Sequence, residues 1–460
     1  MAGIGFELRK VISKGGLGSF IKAAFSGVMI VAGPWLFSIV GITLIQRIIG
    51  NISGSGALFS ATVIYSYAWS LIIFGGLHLI YTRIIADLLF LNKQSEASGS
   101  LVFFIAVIGA AALAISIPVY LSFNISVDNL ALYRTAAILL FFTVNIVWVL
   151  MIFITLLRRF LLILFIYAAG IGLAVILVML LSSRYGVAGS LFAFALGHLA
   201  IAVSLSLLAF LSYKPSAIAK GWNNLRSYIS RFFMLFATGC FYNWAIWADK
   251  VIFWFSKGEV VAGTFFRLYE AYDLAVYMAN LSMIPGLVYF VIISETGFYI
   301  QLRKFLLTLS KGTFADIQRR KRNLLKGVRT HVGRQTLFQA IFTVGLIFLA
   351  PAIAAIFEPG AVTAATVRIV LAGVFLHFLS LTVMNYHFYF EFFRHALILS
   401  FIFFAVNTGV SLLMVAELLP FIPGIGYTAG GLCSAIYAYA AIVVSGKKFE
   451  RQILAKSSGV

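Results

Sequence analysis

The chain has 460 residues, 62% of them hydrophobic and only 10% charged, a composition outside the range of soluble globular domains. Lys and Arg number 34 against 14 Asp and Glu, a net charge of +20. In so apolar a chain such basicity belongs to loops beside anionic lipid, not to a nucleic-acid surface, and two cysteines exclude a disulfide framework or a thiolate metal site.

The first 22 residues are basic but do not run into a short apolar core with a small-residue cleavage site, so a removable signal peptide is not expected. Residues 1–22 read instead as an interfacial segment, with Arg9, Lys10, Lys14 and Lys22 toward headgroups. Twelve apolar runs of about 20 residues follow. They cover 23–44, 57–80, 101–123, 135–157, 160–181, 188–211, 232–255, 273–294, 337–356, 370–390, 396–415 and 425–445.

An even number of spans puts both termini on one side. With the termini in the cytoplasm, 27 of the 34 Lys and Arg residues fall on the cytoplasmic side, as the positive-inside rule requires. The chain therefore reads as a first bundle over 23–212, a basic linker over 213–231, a second bundle over 232–446 and a cytoplasmic tail over 447–460.

In the first span, Gly33 and Pro34 remove a side chain and a backbone donor at mid-membrane, which permits a kink; Pro285 and Gly286 do the same in the eighth. Interrupted helices at corresponding places in two halves point to a transporter's site, and static packing kinks are the plain alternative.

The seventh and eighth spans hold most of the unusual chemistry. Asp249, Lys250, Arg267, Glu270 and Asp273 stand in a stretch that is otherwise nearly all hydrocarbon. A charge at bilayer depth costs about 2.5–3.5 kcal/mol on insertion scales and therefore faces a bundle interior or a wet cavity. These residues are candidates for a transport path, with Tyr269, Tyr272 and Trp69 as aromatic surface on which a sugar face can stack. The alternative is equally open: they lie on the outer rim, or Arg267 to Asp273 form an external loop.

Residues 297–335 are the longest break between spans, with ten Lys or Arg and one acid, Asp316. Apolar residues recur there at close to helical spacing, and Arg303, Lys304, Arg319, Arg320, Lys321 and Arg322 supply a polar face for lipid headgroups or an acidic partner. No phosphate-cradling G-x-x-x-x-G-K-[ST] loop, D-x-D pair or trusted histidine spacing is present, so neither catalytic residues nor cofactors nor a metal are expected.

The opening Met1-Ala-Gly-Ile-Gly-Phe-Glu-Leu-Arg-Lys10, the run Gly33-Pro34-Trp35 and the twelve-span layout over the whole length resemble the PelG family, inner-membrane transporters of Pel exopolysaccharide systems. The resemblance implies two six-helix bundles around a central cavity, lined by spans one, two, seven and eight. It also implies a polysaccharide substrate rich in N-acetylgalactosamine, with a cytosolic glycosyltransferase and membrane subunits of the synthase as partners, in the inner membrane of a Gram-negative bacterium. No motif of the family assigns a catalytic residue. Two rival readings stay open: an ion-coupled exporter of drugs or lipid-linked oligosaccharides from the same superfamily, and a membrane scaffold that recruits the synthase.

Overall fold

In a computed structural model, residues 16–50, 56–155, 159–214, 221–355 and 363–457 are described. The opening decapeptide and most of the interfacial segment fall outside them. The described chain is almost entirely helical, as a low-dielectric solvent demands: with no water to bond, backbone N–H and C=O groups must be satisfied within each segment.

The helices run α1 (Leu17–Gly50), α2 (Gly56–Phe90), α3 (Gln94–Leu121), α4 (Leu130–Thr155), α5 (Phe160–Ser212), α6 (Gly221–Arg231) and α7 (Phe233–Lys257). After a two-stranded hairpin, β1 (Glu259–Val260) with β2 (Arg267–Leu268), come α8 (Glu270–Leu281) and α9 (Ile284–Tyr289). A π-helical turn (Phe290–Glu295) leads into α10 (Thr296–Lys311) and α11 (Phe314–Phe348). The chain closes with α12 (Ala350–Ala354), α13 (Ala364–Tyr389), α14 (Phe393–Val415) and α15 (Ile425–Ser457).

Among the described residues, nine helical stretches are long and apolar enough to cross a membrane. One of them, α5, has 53 residues, about 80 Å at helical rise, far more than a bilayer core. It turns at Gly186, whose φ of 53° is open to glycine without a side-chain clash. Its two arms then fold back on each other: a Cβ on Gly197 would lie 2.6 Å from the Gly170 carbonyl. Helix α7, with 25 residues, is not among the nine because Asn243, Asp249 and Lys250 dilute its apolar character.

The chain forms two compact units. One, called unit 2 here, comprises 32–247 and 254–269; unit 1 comprises 1–31, 248–253 and 270–460. Helix α2 organises unit 2. Its Thr62, Ser66 and Ser70, four residues apart and so on one face, engage Tyr133, Tyr120 and Trp148 at 2.7, 3.3 and 3.1 Å. The same helix meets α7 through glycines. A Cβ on Gly76 would stand 2.6 Å from Cys240 Sγ, and one on Gly239 would strike the Gly75 carbonyl, so small residues set this close approach.

In unit 1, α13 packs on α15, where Tyr427 bonds His377 Nδ1 at 2.7 Å and Thr428 donates to the Ile369 carbonyl at 2.9 Å. Helix α11 begins on a capping arrangement: the Asp316 N–H donates to Thr313 Oγ1, and the Asp316 carboxylate accepts from the Thr313 hydroxyl and from Arg319. The Thr313 hydroxyl first, then the neighbouring arginines, hold the Asp316 carboxyl below its usual value. With a depressed folded pKa, this capping contribution is present above the unfolded carboxyl's titration and is lost as pH falls through the folded value.

The glycine contact in unit 2 gives a direct test. Gly239→Val inserts three methyl-sized groups against the Gly75 backbone and is expected to destabilise the fold by about 1–3 kcal/mol or more, as overpacking does. A lower unfolding temperature of the purified protein, with Gly172→Val unchanged because nothing lies within 4 Å of a Cβ there, is the expected pair of results.

Candidate functional site

Asp249 lies near the distal end of α7, and its side chain is 0% exposed. A bare carboxylate there is unaffordable without partners. Two are in place. The Tyr272 hydroxyl donates to Asp249 Oδ2 in a short bond, and Lys250 Nζ lies 3.6 Å from Oδ1. Lys250 is itself 5% exposed, and its ammonium stands over the Tyr427 ring, 5.2 Å from the centroid. The Tyr427 hydroxyl then reaches His377, which is also buried.

The result is one continuous buried network in unit 1: Tyr272, Asp249, Lys250, Tyr427 and His377, contributed by α8, α7, α15 and α13. Phe253 and Phe421 close it on the apolar side, their rings 5.2 Å from each other and Phe253 the same distance from Tyr272. Gly424, at φ +94°, lets the chain approach here, since a Cβ would lie 2.8 Å from Val370 Cγ2. The pair is formally neutral, so the network holds no net charge. Chemically it can bind hydroxyls or relay a proton, and it also ties four helices together.

The other acidic candidates stand elsewhere. Glu270 is exposed and Asp273 half-buried, both in the first turn of α8, where the helix dipole favours negative charge. Arg267 and Tyr269 belong to unit 2. Arg267 is a strand residue; its backbone N–H and C=O both bond the Tyr65 hydroxyl, and its guanidinium reaches the Phe255 carbonyl at 3.1 Å. Tyr65 in turn stacks on Trp254 at 4.7 Å. Trp69 meets Trp244 edge-on at 5.9 Å.

At the kink candidates, Gly33 lies against Leu164, and Pro34 sits inside an unbroken α1. Pro285 follows the interruption between α8 and α9, and Gly286 leaves room for Gln339 and Phe378. On the basic segment, Arg303, Lys304, Arg319 and Arg322 are exposed and Arg320 is half-buried. Lys321 departs from the surface expected of it. It is buried, because it shares the inward face of α11 with Leu324, Val328 and Val332.

The comparisons with known proteins converge on this architecture. The model of the PelG family, described as an exopolysaccharide exporter (EPS-E), matches residues 1–453. The chain belongs to the PelG family. Among curated proteins, none matches in sequence.

Solved structures share its fold. A multidrug resistance MATE family transporter of the MOP superfamily, in an outward-facing conformation, aligns with a TM-score of 0.62 at 13% identity, over 94% of this chain and 97% of that one. A MATE structure in the bent conformation gives 0.59 at 13% identity, over 93% and 97%. A MOP superfamily transporter from Pyrococcus furiosus, whose binding pocket is described as having reverse polarity, gives 0.56 at 11% identity, over 93% and 96%. At such identities the likeness concerns the fold, and this family member is a multi-pass membrane exporter by family and architecture together.

Tyr427 and His377 are network members that sequence reading does not single out. Each lies in an apolar span far along the chain, and only the packing of α13 and α15 brings them to Lys250. The network predicts non-additive stability. Lys250→Met alone strands the Asp249 carboxylate and should cost about 3–5 kcal/mol, whereas Asp249→Asn with Lys250→Met removes both charges and should cost clearly less. Unfolding of the single and double variants measures the difference.

Proposed function

We propose that this chain moves an N-acetylgalactosamine-rich exopolysaccharide, Pel, across the bacterial inner membrane as part of a synthase and transport complex for biofilm matrix. The family match over residues 1–453 carries the reading, and the MATE-like fold supports it. The partners on this reading are the cytosolic glycosyltransferase and the membrane subunits of the synthase.

The proposed topology is twelve spans in two bundles of six, with both termini cytoplasmic. The turn at Gly186, the length of α7 and the distal part of α11 support raising the nine stretches to twelve. On this topology the exposed Arg303, Lys304, Arg319 and Arg322 face the cytoplasm, where anionic headgroups favour them by about 1 kcal/mol per charge.

The path for polymer uses Glu270 and Asp273 of unit 1 at its outer end. Asp249, Lys250 and Tyr272 hold that part of unit 1 in shape from inside. Exposure favours this division of labour: Glu270 is available to a hydroxylated chain, and Asp249 is not.

Two strains test the proposal. Cells that keep the synthase but lack this chain are expected to trap polymer in the cytosol. Cells carrying Glu270→Gln are expected to export less than a third of the wild-type amount at equal protein level. Wild-type export from Glu270→Gln and Asp273→Asn would remove both residues from the path, and undiminished export from the deletion would remove the chain itself.

A further inference from the structure

Helices α10 and α11 form an antiparallel hairpin within unit 1, joined by Gly312 and Thr313. Gly297 stands against His331 and Gly327 against Gln301, so Arg303 and Lys304 fall level with Leu325 and Leu324. Helix α11 has 35 residues and no proline, about 52 Å at helical rise.

The exposed side of α11 changes character once. Leu337, Ile341, Val344 and Phe348 are exposed, which is the face a helix turns to lipid. Toward the start of the helix the same side carries Arg334, Arg329, Lys326, Arg322 and Arg319, all exposed. The hydrocarbon edge therefore lies beside Arg334.

Headgroup attraction sets the side of the membrane on which such a segment stays. It acts, however, over a layer of about 5–8 Å and fades within a further Debye length of about 8 Å. Arg329 is about 8 Å along the axis from Arg334, inside that layer. Arg322 stands about 18 Å beyond Arg334, Arg319 about 22 Å and Phe314 about 30 Å. A tilt of about 20°, average for spanning helices, shortens these distances by only about 6%. Lipid reaches the near end of the basic stripe and not the far end.

Apolar side chains stand out at that far end. Phe314 is 74% exposed, and Leu306 of α10, level with Arg322, is 50% exposed. Exposed apolar anchors set among arginines, beyond the reach of lipid, are the mixture of a protein interface. Asp316 is the one acid between 297 and 335, and it is already bonded to Thr313 and Arg319. The positive charge of the hairpin is thus left for a partner to complement.

We propose that the far half of the α10–α11 hairpin, from Lys304 and Lys326 to Phe314, is a docking surface for an acidic protein face that receives Phe314 in an apolar pocket. The occupant is the cytosolic glycosyltransferase of the synthase; this identity rests on the function proposed above. The contact fixes the enzyme to the exporter, so that polymer is made where it is moved.

The test co-expresses the tagged full-length chain with the glycosyltransferase alone, so that no other subunit bridges them. Enzyme and phosphatidylglycerol recovered per chain are measured after purification in detergent. Wild type is expected to retain the enzyme at low salt and to lose most of it at about 0.5 M sodium chloride, where the charges are screened. Arg322→Glu with Lys326→Glu is expected to lower enzyme recovery about tenfold or more at equal membrane level, and Phe314→Ser about threefold or more. Undiminished recovery in the double variant overturns the proposal, as does no recovery with wild type. A double variant that loses phosphatidylglycerol and keeps the enzyme assigns the stripe to lipid and overturns it as well. If the double variant does not accumulate, Phe314→Ser decides, and undiminished recovery there refutes the surface. Normal export from cells lacking this chain would overturn the exporter reading instead, a result distinct from every outcome of the recovery assay.

Discussion

A polar group inside a hydrocarbon-like medium has no water to fall back on, and this single constraint shapes the molecule at every scale. It makes the backbone helical, since each helix bonds its own amides. It explains why Thr62, Ser66 and Ser70 line up on one face of α2, each spending its hydroxyl within reach of a Tyr or Trp of a neighbouring helix. It also explains the pairing of Asp249 with both Tyr272 and Lys250: either charge alone would be too costly where no solvent reaches.

Glycine does the complementary work. Where helices carry few polar contacts, dispersion forces depend on close approach, and the absent side chains of Gly75, Gly76 and Gly239 let α2 and α7 come together. Gly186 has a different task, since its positive φ lets a 53-residue helix double back. Packing and turning thus fall to the same residue type for unrelated reasons.

The two buried carboxylates of unit 1 make an instructive contrast. Asp249 accepts from the Tyr272 phenol on Oδ2 and faces the Lys250 ammonium at 3.6 Å on Oδ1, so its network is formally neutral. Glu295 accepts from the Tyr389 hydroxyl on Oε1 and has no hydrogen bond on Oε2. The first arrangement is what structural cross-linking requires. Glu270, exposed, and Asp273, half-buried, form a third class, stabilised by the start of α8.

Hydropathy by itself determined that this is a helical membrane protein with long apolar stretches, because the cost of exposing or burying each residue type is local and additive along the chain. The same reasoning picked out Asp249 and Lys250, whose charge in an apolar run is visible without any fold. Only the tertiary structure decided which partners they have. Tyr427 and His377 come from spans more than a hundred residues away and look, in sequence, like ordinary members of apolar helices. Arg267 looked like part of the same polar stretch, yet a two-residue strand carries it into unit 2 and ties it to Tyr65. Lys321, one of four consecutive basic residues, is turned inward by the helical repeat of α11 while its neighbours stay outside. Glu295 stands at the end of an apolar run, where a charge reads in sequence as a boundary residue. Its burial follows from the π turn and from the aromatic wall of α13, and both depend on contacts between helices that no local pattern encodes.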